Sequence, residues 1–527
     1  MIKEQSWVFW LKIAAILFLI PALFINLGLP VFIDDEGIRS LVALEMKLSG
    51  NYITPTLHGA YYYKKPPLYN WIILASFNLS GAINEFTARL PTIACLVGYA
   101  ATVYFYFRKH FVSKMAFLQA FILITCGRIL FWDSMLGLID IGFSWAMFVL
   151  FMVVYHQYQK GQYWGLFLLS YFFAAIGFLL KGLPAIVFQG FTLLAFFIYQ
   201  KEFRKLFSLQ HVVGGLLFVL IVGGYYLVYN QYNALQDVFP VLISESTKRT
   251  AIEFGIWRTI LHLFTFPFEM VYHFLPWSVM ALFLIRKDIL NVIRENKFIA
   301  YNALIFLANI IVYWTSIEVY PRYLLMFVPL IFSVFLYLYY KNKASQHISV
   351  KIFETTFLVV CLLIALGSFS PLLLERTRDT SYLYAKTLSL GLGLTFLTWL
   401  YWRLKNDRMV VLVVFLLLLR IGFNWFVLPD RDANDFGELC RVTSKEVGQK
   451  FSHEELYVYR DTDMQYTNSF YLTNERQRII PYKKDNFKSD AYYIINPAQY
   501  PNVKYEKVAE FKVRHGQTTY DIGRIKE

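Results

Sequence analysis

The sequence predicts an all-α polytopic membrane domain of about thirteen spans followed by a small α/β domain at the C-terminus. Three observations predict it. Of 527 residues, 57% are hydrophobic and only 16% charged, with a mean hydropathy of +0.46, which excludes a water-soluble globule for most of the chain. Apolar runs of spanning length, about 20 residues each, recur from Trp7 almost to Pro429. Beyond Pro429 the composition becomes that of an ordinary soluble chain, which divides the sequence into a membrane domain at 1–429 and a soluble domain at 430–527.

Hydropathy places the spans near 8–29, 86–107, 115–131, 139–157, 163–179, 183–199, 211–229, 274–285, 298–316, 322–340, 350–369, 383–402 and 409–428. The first run has Pro21, Asn26 and Pro30 where a small-residue cleavage site would be needed, so it is expected as a retained helix. With the N-terminus inside, the connections Arg108–Lys114, Tyr158–Gln162, Lys201–Lys205, Arg286–Lys297, Lys341–Lys351 and Arg403–Arg408 are cytoplasmic, and each carries at least one Lys. An odd number of spans then puts the tail outside. The net charge of +14 is therefore mostly topological, and nucleic acid is not an expected partner. Cys95, Cys126, Cys361 and Cys440 are scattered, three of them in apolar runs, so neither a disulfide framework nor a CxxC metal site is present.

Two long outer segments have structure of their own. In the first, 31–85, Ile38, Leu41, Val42 and Leu44 have helical apolar spacing over 36–48, stopped by Ser49-Gly50, which predicts a helix lying along the membrane surface. Pro66-Pro67 fits the first turn of a second such helix. The segment 235–273, of mixed charge and rich in aromatics, is a further candidate for the interface. In the tail a helix is expected over 434–451, with short alternating runs at 455–459, 470–472, 491–495 and 508–513.

Candidate chemistry gathers on the outer side. Asp34, Asp35 and Glu36 follow the first span; adjacent carboxylates repel one another until a cation or proton relieves them, which is one way to make a general base. Their plain alternative is a solvated helix N-terminus. Asp133, with Asp140 as its competitor, reaches the same side at the end of the third span, where either acid could also cap a helix. Lys64, Lys65, Lys181 and Arg322 stand where the positive-inside rule does not put them. They either snorkel to headgroups or line a phosphate pocket through charge-assisted hydrogen bonds. His58, His262 and His273 are outer histidines; with Glu269, the last two do not share one helical face, so a substrate hydrogen bond or a satisfied interfacial ring is favoured over a metal.

The residues Asp35-Glu36 through Glu45-Met46, then Ser49-Gly50-Asn51-Tyr52-Ile53-Thr54-Pro55, Gly59, Tyr62-Tyr63, Lys65-Pro66-Pro67 and Trp71, resemble the first periplasmic loop of aminoarabinose transferase-like enzymes. These are GT-C membrane glycosyltransferases related to protein O-mannosyltransferases. The resemblance continues through Ala88-Arg89-Leu90-Pro91, Asp133-Ser134-Met135-Leu136, Lys181-Gly182, Pro276-Trp277 and Arg322-Tyr323-Leu324-Leu325. It implies thirteen spans, a periplasmic C-terminal domain, a bacterial inner-membrane location, and a sugar taken from a polyprenyl-phosphate carrier such as undecaprenyl phosphate.

By the same resemblance Asp35 matches the catalytic acid, with Glu36 beside it, Asp133 the second acid and Lys65 the lysine near the carrier phosphate. Arg39, Tyr63, Lys181, Arg322 and Tyr323 are expected on the donor's phosphate. Asp34, His58, Arg89 and His273 are expected at the acceptor. Two departures stand out: the family's arginine three residues after the first-loop Asp is Ile38 here, with Arg39 next, and Lys64 replaces an acid. The sugar stays open, and so does the acceptor among glycolipid (lipid A included), glycan and protein. No cofactor is required, with a divalent metal left open. Membrane lipids are the remaining partners, and a lipid-linked-sugar flippase or a non-catalytic envelope assembly protein are the rival readings.

Overall fold

In a bilayer an apolar run satisfies its own backbone only as a helix, and the chain folds accordingly. The computed structural model describes residues 2–33, 35–247, 256–433, 437–513 and 518–526. Among these, nine helices are long and apolar enough to cross a membrane, and ten if a bent pair is one span. They make this a multi-pass membrane protein. The bent pair is Ser113–Thr125 and Gly127–Met135, which meet at 46°. Helices also occupy two other expected positions: Pro184–Tyr199 is only 16 residues long, and Leu383–Arg403 is diluted by glycines and hydroxyls. The run expected as a span at 274–285 is instead a 3-10 helix, Trp277–Leu284, whose 8 residues rise only about 16 Å, half the depth of a bilayer core.

The break at Cys126 frees backbone groups inside the membrane, and two of those beyond it find partners in other segments. The amide of Gly127 donates to the carbonyl of Leu275 at 2.6 Å. The guanidinium of the buried Arg420 donates to the Leu130 carbonyl and, through Nε, to Asn424 at 2.7 Å. A polar side chain deep in a bundle is costly, and here it is retained because it closes a broken helix.

Both surface helices of the first loop are present. Glu36–Ser49 ends on Gly50 and Leu68–Ser80 on Gly81, with φ of 70° and 68°, the left-handed turn that glycine takes without strain. Between them Glu45, fully buried, holds a small hairpin: it accepts from Thr56 Oγ1 at 2.7 Å and from the amides of His58 and Gly59 at 2.7 and 3.1 Å.

The C-terminal region is a five-stranded sheet in the order Tyr482–Lys483, Leu456–Tyr459, Tyr492–Ile495, Thr519–Ile525, Tyr505–Lys512. The first three strands are parallel and the last two antiparallel to their neighbours. Helices Gly437–Lys450 and Tyr466–Arg476 pack beside it; Phe470–Leu472, expected as a separate alternating run, lies inside the second. That helix joins the region to the first loop. Phe470 packs edge-on to Phe32 at 4.9 Å, and Thr467 donates to the Phe32 carbonyl at 3.2 Å. A Cβ on Gly37 would sit 2.8 Å from the Thr467 nitrogen, so only glycine allows this approach.

Candidate active site

The first surface helix begins where the first span ends. Asp34 lies outside the described residues. Asp35 is the N-cap residue, yet its side chain makes no capping bond, which leaves the carboxylate turned toward the bundle. It is about half exposed (46%), with Arg322 Nη2 3.9 Å away.

Glu36, one residue on, is fully buried and has a different occupation. Arg89 grips it with Nε at 2.9 Å and Nη2 at 3.1 Å, and the amides of Gly137 and Ile33 add bonds of 2.6 and 3.1 Å. Arg89 spends its other donors on the carbonyls of Leu27, Pro30 and Val31. Glu36 and Arg89, expected to meet substrates, therefore meet each other. Their fork ties the loop to the second span, and it leaves neither a lone pair nor a donor for a reactant.

Asp140 is the first residue of helix Asp140–Gln159 and carries two cations. Its Oδ1 accepts from Lys181 Nζ at 2.5 Å, and its Oδ2 lies 3.5 Å from Arg322 Nε. Lys181 ends helix Tyr163–Lys181 and sits 3.7 Å above the Tyr323 ring; Arg322 sits 4.3 Å above Tyr320. One ionic cluster thus joins Lys181, Asp140, Arg322 and Asp35. Asp133, the acid expected in this place, is buried in a fork with Arg128, both oxygens 3.2 Å from Nε, though Asp140 and Arg322 remain within electrostatic reach.

Lys65 and Arg39 complete the cationic wall. Lys65 makes no hydrogen bond or ion pair among the described residues, and its pKa is lowered to about 8, first by burial and then by Arg39 and Lys181. Glu245 and Asp35 oppose that shift. Arg39 is buried; its Nη2 donates to the Tyr62 hydroxyl at 2.7 Å, and its Nη1 has no partner among the described residues. Tyr63 accepts from Asn233 Nδ2 at 3.2 Å, which links the two outer segments.

The histidines lie elsewhere. His58 is buried against the C-terminal sheet region with both ring nitrogens engaged, Nδ1 2.9 Å from the Ile480 carbonyl and Nε2 2.9 Å from Ser469 Oγ. It is a docking residue, not an acceptor ligand as expected, and burial lowers its pKa to about 4. His273 has Arg128 and Glu269 as its charged neighbours and so belongs to the Asp133 side of the bundle. Among the described residues no three of His, Cys, Asp and Glu are grouped to hold a metal ion.

Next to this cluster is an apolar cavity of about 400 Å³. Phe266, Phe274, Phe306, Trp314, Leu324 and Phe335 are among its lining residues, and Ser278 is the one polar member. Leu324 and Phe327, which face it, share the 3-10 helix Pro321–Phe327 with Arg322. Sequence reasoning named Asp140 only as the competitor of Asp133, and it did not foresee its central place or the Arg128 and Tyr62 contacts. Only the position of Asp140 at a helix start hinted at it.

Residues 64–226 match the model of a family described as dolichyl-phosphate-mannose-protein mannosyltransferase. An uncharacterized protein of Aquifex aeolicus is 24% identical over 54% of this chain and 56% of its own length. An undecaprenyl phosphate-alpha-4-amino-4-deoxy-L-arabinose arabinosyl transferase of Aeromonas hydrophila is 27% identical over 34% of this chain and 33% of its own. The chain thus spans about half or less of the curated relatives it matches. Over the whole fold, the crystal structure of ArnT from Cupriavidus metallidurans bound to undecaprenyl phosphate superposes with a TM-score of 0.70 at 16% identity, covering 99% of both chains.

Proposed function

We propose that this chain, whose fold is that of the GT-C enzyme ArnT and whose sequence resembles the aminoarabinose and protein-mannosyl transferases, is a membrane glycosyltransferase using a polyprenyl-phosphate-linked sugar. The observation that carries this reading is one short helix: Pro321–Phe327 holds Arg322 in the ionic cluster and turns Leu324 and Phe327 into the apolar cavity. An amphiphile with an anionic head and a long branched tail fits both halves at once. On the thirteen-span reading of the sequence, the positive-inside rule would have the cluster and the C-terminal sheet region face the periplasm of a bacterial inner membrane.

In the proposed reaction an acceptor hydroxyl on an envelope molecule attacks the anomeric carbon as the bond from that carbon to the phosphate oxygen breaks. Asp35 takes the hydroxyl proton, and polyprenyl phosphate leaves with the bonding electron pair. A single displacement inverts the anomeric centre. Lys65, Lys181 and Arg322 stabilise the charge growing on the leaving phosphate, and Asp140 keeps the last two side by side. Tyr323 supports Lys181 from below. Asp133 acts at a distance, fixing the broken helix through Arg128.

Transfer of radiolabelled sugar from a polyprenyl-phosphate donor to envelope extracts, in purified protein, is the test. Replacing Asp35 by Asn should lower turnover by about 10²–10⁴-fold with the protein still folded and inserted. Near-normal turnover of Asp35→Asn rejects the assignment, and translocation of donor in sealed vesicles without transfer favours a flippase.

A further inference from the structure

The turn that carries Arg322 is braced from two other helices. The hydroxyl of Tyr99, in helix Glu85–Arg108, donates to the carbonyl of Leu325 at 3.2 Å. Gln119, in helix Ser113–Thr125, donates through Nε2 to the carbonyl of Pro329 at 2.9 Å. Both side chains are 1% exposed. Gln119 Oε1 is buried with no partner among the described residues, so this amide is kept at a cost for the bond that its nitrogen makes. Phe148, whose ring centre lies 5.4 Å from that of Tyr99, holds the tyrosine against the helix that begins with Asp140.

Pro329 is the reason the turn needs a brace. An α-helix through this stretch would have residue 329 donate its amide to the Leu325 carbonyl, and proline has no amide hydrogen. The segment Pro321–Phe327 is a 3-10 helix instead, and the Leu325 carbonyl accepts the tighter bond from Val328. That bond has the poorer geometry of the two, and where no water reaches, a second donor to the same carbonyl supports it. The 3-10 form also decides where side chains go. Residues three apart eclipse, so Leu324 and Phe327 present one side to the cavity while Arg322 stands about a third of a turn from both. α-Helical winding would splay that pair by about 60° and change the aim of Arg322 with it.

We propose that Tyr99 and Gln119 are positioning residues of the carrier site: by holding the carbonyls of Leu325 and Pro329 they keep this turn in the form that aims Arg322 at the phosphate while Leu324 and Phe327 meet the tail. The inference rests on the glycosyltransferase reading and adds to its site two side chains that touch no reactant. A tyrosine on a carbonyl is not itself unusual in this bundle. Tyr301, also buried, donates to the Phe151 carbonyl at 2.5 Å, but in the middle of the regular helix Asp140–Gln159, and it is therefore the matched control.

Binding tests the proposal without turnover. The full-length protein in nanodiscs is titrated with undecaprenyl phosphate and with undecaprenol, which keeps the tail and drops the phosphate. The wild type should prefer the phosphate by at least about tenfold, the scale of one charge-assisted bond. Tyr99→Phe should lose most of that preference while its affinity for undecaprenol stays within about twofold, and Gln119→Met should act in the same direction. Tyr301→Phe removes the same kind of bond and should keep the preference. In an Arg322→Gln background, Tyr99→Phe should cause no further loss of preference, an outcome that general destabilisation does not produce. Full preference in both Tyr99→Phe and Gln119→Met overturns the inference. So does an equal loss of both lipids, or a loss that adds in full to that of Arg322→Gln. A wild-type protein that binds undecaprenol as tightly as undecaprenyl phosphate rejects the glycosyltransferase reading and the inference with it.

Discussion

At Asp140 one carboxylate restrains two like charges from different helices, so its removal does more than delete an acid. Asp140→Asn keeps the shape but leaves Lys181 and Arg322 to repel each other in a buried setting, and breaking such a pair costs about 3–5 kcal/mol. A lower melting temperature in detergent and weaker binding of polyprenyl phosphate are expected together, with Asp140→Glu recovering part of both. Lys65 carries a pH prediction. Its pKa is lowered to about 8, so the free protein holds the ammonium below that value and loses it above. Because a phosphate monoester completes its second ionisation near pH 6, affinity for polyprenyl phosphate should be flat only between about pH 7 and 8 and fall above that, by up to about tenfold per pH unit when one proton must be taken up with the ligand. Lys65→Arg should flatten the decline in an equilibrium titration. Asp35, Lys65, Lys181 and Arg322 were legible in the sequence because charge on the outer edge of a span is conspicuous. The choice between Asp133 and Asp140 was not, because the 46° break between the two helices at Cys126 decides which acid faces inward, and no local residue pattern announces that break.

Among the elements, the hairpin after the first surface helix is where loop and C-terminal sheet region are stitched together. His58 is held neutral there, its pKa lowered to about 4 by burial, against about 6.5 in an unfolded chain. Between those values the unfolded or undocked state binds the extra proton, so the docked state loses stability as pH falls through that window. Hydrogen exchange of residues 51–61, taken relative to the intrinsic rate at each pH, should rise from pH 7 to pH 5. His58→Ala should raise it at both values and remove the difference between them. The first surface helix was readable from its apolar spacing and the glycine that stops it, the second from the prolines that open it. The helix Tyr466–Arg476 was misread at Phe470–Leu472 because three apolar residues in a row suit either period. Phe470 and Tyr471 pack toward the membrane loop while Leu472 enters the core of the sheet region, a division that only tertiary contact reveals.

Over the whole molecule, hydropathy recovered the bundle and its polar tail; among the described residues nine or ten helices have the length and apolarity of a simple crossing, against the thirteen spans expected. Hydropathy cannot distinguish a helix from an eight-residue 3-10 segment packed against neighbours, as at Trp277–Leu284. Nor could composition foretell that the tail is bolted to the second span by Glu85, which accepts from Tyr471 at 2.6 Å and Arg441 at 3.1 Å. Arg441→Met should leave Glu85 half-paired and loosen that joint. Faster limited proteolysis of the C-terminal region, with membrane insertion unchanged, is the expected reading. The cavity beside Arg322 has a further consequence. Its walls join helices of the bundle to the outer segment that ends at His273, so a carrier that enters it is expected to arrive sideways from the lipid phase and to collide with the protein in two dimensions. Its saturation should follow mole fraction in the bilayer, and diluting vesicles at constant lipid composition should leave the rate per protein untouched.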